Sequence, residues 1–350
     1  MIALSPQVLQ LAAVLRPALG LAEVDQCEPI TPAMIGLAVE RHRVAPLLHR
    51  AAKLGGKPLP EGQADALAMR SRDNARQALR QQAASLAFGG VLAQAGIAHA
   101  EIKGWRLGQL LYHGEALRQA KDVDLLVDPA GMEEALRLAQ AEGYHDRRKR
   151  PLRLWHARAE LRFHRETGVR DPRSGVEIEL HSRALEAPPQ AWSDAALLHG
   201  QLDLSCPAYV LYLLLHGAGT KWNRLKWLCD LARIAQLVSP EVRGDVVALA
   251  RRCDCLPALA ASFRLLAMLW GEELAADWRA ALAMPEDDPR ASAHLAEFAE
   301  ALDRDGAHGF TTLTARRAEL VRDTPLFGTR HPPRIKAIGA RSALWLLRQL

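Results

Sequence analysis

The pattern of apolar and polar positions divides the chain into three stretches. Over residues 1–95 apolar side chains recur at three- and four-residue spacings, which predicts helices. "SPQVLQLAAVLRPAL" reads as one helix. "TPAMIGLAVERHRVAPLLHRAAKLG" reads as another, opened by Thr31 as N-cap with Pro32 in the first turn and closed by Gly55 and Gly56. Pro46 lacks an amide hydrogen and should kink or split it. Gln63 to Ala95 predicts one long helix.

The pattern changes at Ile97. "IAHAEIKGW" predicts a short strand ending on a glycine, followed by a short helix from Arg106 to Tyr112 and a polar loop from His113 to Lys121. "DVDLLV" alternates with period two, and "DPAGMEEALRLAQAEGY" predicts a helix with Asp128 as N-cap. "YHDRRKR" and "HARAELRFHRE" read as an antiparallel strand pair, "TGVRDPRSG" as a turn and "VEIELHSR" as a last strand. From Ala191 the helical spacing returns. "CPAYVLYLLLHGAG" should be a buried helix closed by Gly217 and Gly219, and "RLKWLCDLARIAQLV" an amphipathic one. Further helices are expected near 241–255, 257–270, 272–283 and 290–303, with a last one from Lys336 to Leu350. The expected fold is α+β and predominantly helical. A small mixed β-sheet core (96–190) is flanked by an N-terminal helical region (1–95) and a C-terminal helical domain (191–350).

Composition narrows the function classes. Of 350 residues, 49% are hydrophobic and 24% charged, the balance of a globular chain and not of a disordered one. The net charge of +5 suits an anionic substrate and does not require nucleic acid. Five cysteines without framework spacing point to reduced thiols, and Cys253-Asp-Cys255 lacks zinc-site spacing. The N-terminus has no basic segment before its apolar run, and "YVLYLLL" is far shorter than the roughly 20 residues a membrane span needs. A cytoplasmic protein without a membrane partner is the expectation.

The candidate chemistry lies in the middle stretch. Asp122 and Asp124 stand two apart on a strand, so their carboxylates share one face. Paired carboxylates repel unless a cation lies between them, and Mg2+ is held by one or two carboxylates together with substrate phosphates. Upstream, Lys103 and Gly104 end a strand before a helix, where close backbone and a positive side chain suit phosphate. Downstream, Glu177 and Glu179 share a face of a later strand, and His181 extends that face. Either glutamate could complete a two-metal site. The run Arg147, Arg148, Lys149, Arg150 reads as a solvated stretch or as a patch for an anionic acceptor.

In this order the motifs resemble the bacterial family of uncharacterised nucleotidyltransferases, within the superfamily related to DNA polymerase beta. "EIKGWRLGQLLYHGEALRQAKDVDLLVD", "VEIELHSR" and "LHGAGTKWNRLKWLCDLARI" carry the resemblance, over roughly residues 97–235. It implies Asp122, Asp124 and Glu179 as metal ligands for Mg2+ or Mn2+, and Lys103 and Gly104 at the triphosphate of an NTP. It gives Arg118 the task of orienting the aspartate loop or neutralising phosphate. His216, Lys221, Trp222, Arg224, Lys226 and Asp230 would close over the nucleotide from the helical domain. Trp105 follows Gly104 where the wider superfamily has serine or glycine, so Lys103 should carry more of the phosphate contact. The implied reaction moves an NMP from the NTP to an acceptor hydroxyl on a small molecule, sugar, peptide or RNA end. RNA is one acceptor class and not a requirement. Two other readings would behave differently: an NTP-binding regulatory module would release no pyrophosphate, and a basic RNA- or protein-binding adaptor would be indifferent to Asp122→Asn.

Overall fold

The computed structural model describes residues 2–304, apart from 23–28, 56–57, 187 and 190. Cys27, the last expected helix and the basic tail from Arg330 to Arg341, on which the adaptor reading would rest, lie outside the described residues. The fold is α+β, mostly helical, around one five-stranded sheet.

The N-terminal segment forms α1 (Pro6–Leu15), α2 (Pro32–Gly36, continued as a π turn over Leu37–Arg41) and α3 (Ala45–Leu54). Thr31 caps α2 through its side-chain oxygen, and Pro46 splits the predicted helix by starting α3. Helix α4 (Gln63–Gln94) runs 32 residues. It buries one stripe, Leu67, Asn74, Gln81, Ser85, Phe88 and Leu92, while Leu79 and Leu86 stay exposed.

The middle segment runs β1 (His99–Glu101), α5 (Gly104–Leu111), β2 (Val123–Val127), α6 (Met132–Ala141), β3 (His145–Asp146), α7 (Leu154–Phe163), β4 (Glu166–Arg170) and β5 (Glu177–His181). Two expectations are corrected here. "HARAELRFHRE" is mostly helix, because Ala157 and Leu161, four apart, turn to the core beneath the sheet. The strand is "ETGVR", which past Glu166 lies in what read as a turn, and its hairpin to β5 closes on Asp171, whose side chain accepts from the amides of Arg173 and Ser174. Asp128 starts a turn ahead of α6, accepting from Ala130 N, while Gly131 stands at the N-cap.

The strand order is β1-β2-β5-β4-β3, with β2 and β5 parallel and the other pairs antiparallel. Val123, Leu125, Val127, Ile178, Leu180 and Val169 face a core shared with α4, α6 and α7. The intervening positions face the other way, where Leu126 joins the core of the N- and C-terminal helices.

The helices after the sheet are α8 (Ala195–His199), α9 (Pro207–Gly219), α10 (Leu225–Leu237), α11 (Pro240–Arg252), α12 (Leu256–Trp270), α13 (Glu272–Leu282) and α14 (Pro289–Asp303). Gly217 does not cap α9. It lies inside the helix, where any Cβ would run into the Trp222 ring. Among the described residues no helix is long and apolar enough to cross a membrane.

Candidate active site

The register of two parallel strands builds the site. Asp124 on β2 is paired with Glu179 on β5, so both carboxylates leave the same face of the sheet one strand apart. His181, two residues on, shares that face, and Glu166 on β4 stands opposite it. Glu179 is paired on its other side with Gly168 of β4.

Opposite charges hold this acidic row. Lys103 Nζ lies 2.7 Å from Asp124 Oδ1, and His181 Nε2 lies 3.0 Å from the same oxygen. Burial would raise the Asp124 carboxyl, but Lys103 and His181 outweigh it and hold it well below the usual carboxylate range. Burial likewise opposes charge on Lys103, and Asp124 more than restores it, so the ammonium is held above its ordinary value. Glu179 is pushed up to about 8 by burial and by the neighbouring Glu166, Asp124 and Asp122 charges. Arg147 Nη2, 2.8 Å from Glu179 Oε1, opposes that shift only in part.

Arg147 reaches Glu179 by crossing Gly168, where a Cβ would collide with its side chain. Its Nε also lies 3.1 Å from Glu177 Oε1. Glu177 is further paired with Arg170 at 3.1 Å and Lys121 at 4.0 Å. Of the two glutamates, Glu177 is thus ringed by cations, while Glu179 stands beside Asp124. Asp124, Glu179 and His181 each offer a ligand atom, and those atoms lie within 4.8 Å of one another. Asp122 is not one of that group. It precedes β2, and burial with the Asp124 charge raises its carboxyl.

The Gly104 turn is fixed from three sides. Ile102 N donates to Asp124 O at 3.0 Å, so the end of β1 is tied to the Asp124 backbone. Gly104 has φ +73, and a side chain there would press on Glu101 Oε1 at 3.0 Å and Asp122 O at 3.4 Å. Arg118 Nη1 donates to Gly104 O at 2.9 Å while its Nε pairs with Asp230 Oδ2 at 2.9 Å. Tyr112 OH donates to Asp230 Oδ1 at 3.3 Å. The amino end of α5 already faces a carboxylate, that of Glu101, whose Oε2 accepts from the Ser85 hydroxyl.

The remaining residues expected at the nucleotide separate. Lys226 Nζ donates to Gln119 O at 3.0 Å, and burial with Arg118 nearby lowers its ammonium to about 7. His216 is kept neutral by burial, with Lys103 and Arg165 adding to the effect. Lys221 reaches Glu297 at 3.7 Å, and Arg224 lies 5.8 Å from the Trp227 ring. Trp222 requires correction: its side chain is core, 2% exposed, with Nε1 donating to Ser262 Oγ at 2.8 Å. A buried, bonded indole offers no face to a base. Arg118 and Asp230 are spent on each other and on the Gly104 turn. Reading the sequence missed Glu101, Glu166, Asn74 and Gln81. The last two donate from α4 to Ala116 O and Ala120 O and hold the loop before Asp122. Polar residues recurring at seven on an otherwise apolar stripe were the signal available for them.

Residues 36–271, about two thirds of the chain, match the family described as uncharacterised nucleotidyltransferase. The chain belongs to this family. The match spans the Gly104 turn, the Asp124 and Glu179 strands and helices α9 and α10 together, as a nucleotidyltransferase site drawing on both sheet and helices would require. No curated protein and no solved structure matches the chain.

Proposed function

We propose that this nucleotidyltransferase moves an NMP from an NTP to an acceptor hydroxyl, dependent on Mg2+ or Mn2+. The supporting observation is the parallel register that sets Asp124 beside Glu179. The burial and acidic neighbours that push Glu179 up to about 8 would be offset by a dication between it and Asp124. The donors Asp124 and Glu179 therefore fit a metal, and the family resemblance adds Asp122 beside them as a holder of metal on the nucleotide. When bound, the metal supplies charge to the α-phosphate and alignment of the acceptor. A bond forms from the acceptor oxygen to the α-phosphorus, the bond to the bridging α–β oxygen breaks, and pyrophosphate leaves. Glu179 is the carboxylate placed to take the hydroxyl proton.

Nucleotide contacts fall to Lys103 and Lys226, whose ammonium groups flank the aspartates, with His216 beside them. Gly104, Arg118 and Asp230 position the turn. Lys221 and Arg224, turned to Glu297 and to the Trp227 ring, are assigned no nucleotide contact.

The test is pyrophosphate release with each of the four NTPs, Mg2+ or Mn2+, and a cell extract as the source of acceptor. Loss of groups that merely orient a metal ligand costs about 10–100-fold. Asp122→Asn/Asp124→Asn should therefore lose at least about a hundredfold while keeping its circular dichroism. Release unchanged in that variant would overturn the assignment.

A further inference from the structure

His181 is fully buried between two carboxylates. Its Nε2 lies 3.0 Å from Asp124 Oδ1, and its Nδ1 lies 3.3 Å from Glu166 Oε2. A neutral imidazole donates from one ring nitrogen and accepts at the other. One proton cannot serve two carboxylates. Whichever nitrogen lacks it turns a lone pair towards an anion, and Nδ1 has no hydrogen bond among the described residues. A dication on Nε2 removes the conflict. It takes the Nε2 lone pair, and the proton then belongs on Nδ1, facing Glu166. Metal-ligating histidines are commonly held this way, with the second nitrogen donating to a carboxylate.

Glu179 is prepared similarly. Arg147 holds Oε1 at 2.8 Å, and Oε2 is turned towards His181 Nε2 at 3.8 Å. We infer that the metal centre is a mixed one, formed by Asp124, Glu179 and His181 Nε2, with Glu166 and Arg147 as positioning residues, and that it selects Mn2+ over Mg2+. The inference rests on the metal-dependent reading above and deepens it. Mg2+ favours oxygen donors in near-ideal octahedra, whereas an imidazole nitrogen favours transition-metal dications. Asp122, outside the group, is left for an ion carried in on the triphosphate.

The wild-type chain loaded with Mn2+, without nucleotide, should show nitrogen hyperfine coupling in its electron spin-echo envelope. This readout needs no variant. In a titration of free Mn2+, His181→Gln should weaken binding by about 10–100-fold, and Glu166→Gln should weaken it less. His181→Asp, which makes the donor set all oxygen, should let Mg2+ displace Mn2+ at a lower excess than in wild type. Absence of nitrogen coupling in wild type would overturn the proposal, as would a folded His181→Gln variant binding Mn2+ as wild type does. Pyrophosphate release with no nitrogen coupling would remove the mixed centre and leave the transferase reading standing. Nitrogen coupling with no release of pyrophosphate would do the reverse.

Discussion

Glu101 is a buried carboxylate held by one neutral donor, the Ser85 hydroxyl, whereas Asp124 and Glu179 face cations. Burial pushes it from an ordinary 4.5 up to about 7. Between these values the folded chain keeps a proton that the unfolded chain has lost, so stability falls as pH rises and levels off above 7. The span corresponds to about 3 kcal/mol. Lys226, lowered to about 7, acts in the opposite sense at higher pH: its folded form is neutral while the unfolded one is charged, so stability rises between 7 and 10.5. The Glu101 contribution is isolated by comparing wild type with Glu101→Gln in urea unfolding across pH 4.5 to 7.5. The variant should gain on wild type progressively, approaching about 3 kcal/mol at the upper end. A difference that does not change with pH would rule the account out. Residues of this kind were the hardest to read from sequence. Asp122 with Asp124, and Glu177 with Glu179, stand out because carboxylates at period two share a face, and only the family resemblance chose Glu179 over Glu177. Glu101, Glu166 and Arg147 find their partners only once the chain is folded, since Ser85, His181 and Glu179 are each distant from them in sequence.

Most elements were legible, since α4 and α9 to α14 follow their apolar spacing closely. The exception is the exchange of helix and strand at α7 and β4, and its cause is tertiary. β4 reads as a turn because it carries Gly168, and Gly168 is there because Arg147 must cross it to reach Glu179. Alanine at an ordinary strand position would be favoured over glycine by about 0.5–1 kcal/mol. Here the added methyl must displace the Arg147 side chain, and overpacking costs about 1–3 kcal/mol. Gly168→Ala should therefore destabilise the wild-type chain but be neutral or mildly stabilising in an Arg147→Ala background. A double-mutant cycle in urea reads that coupling directly. Additive effects would mean that Arg147 has no need of the glycine.

Over the whole molecule, two apolar cores meet at the sheet. One packs β2, β4 and β5 on α4, α6 and α7. The larger joins the N-terminal helices and α9 to α14, and takes in Ile102, Leu107, Leu111 and Leu126 from the strand segment. The acidic row therefore lies where sheet and helical domain face each other, and a buried polar tie spans the same junction. Arg118 and Asp230, 5% and 7% exposed, join the Gly104 turn to α10. The tie was readable as two motif residues but not as a pair, because 112 positions separate them. Removing one member of a buried pair leaves an unpaired charge and costs about 3–5 kcal/mol, whereas replacing both by apolar groups is often neutral. Asp230→Asn should thus lower stability by about 3 kcal/mol. Arg118→Met/Asp230→Leu should recover most of it, short of about 1 kcal/mol for the Gly104 carbonyl left without its donor. Activity should separate from stability. The double variant, though folded, has lost the hydrogen bond that sets the Gly104 turn against Asp122 and Asp124, so its kcat should stay depressed. Recovery of both would make the pair a matter of stability alone. Recovery of stability without kcat would show that the helical domain holds the turn in register for the chemistry at Asp124.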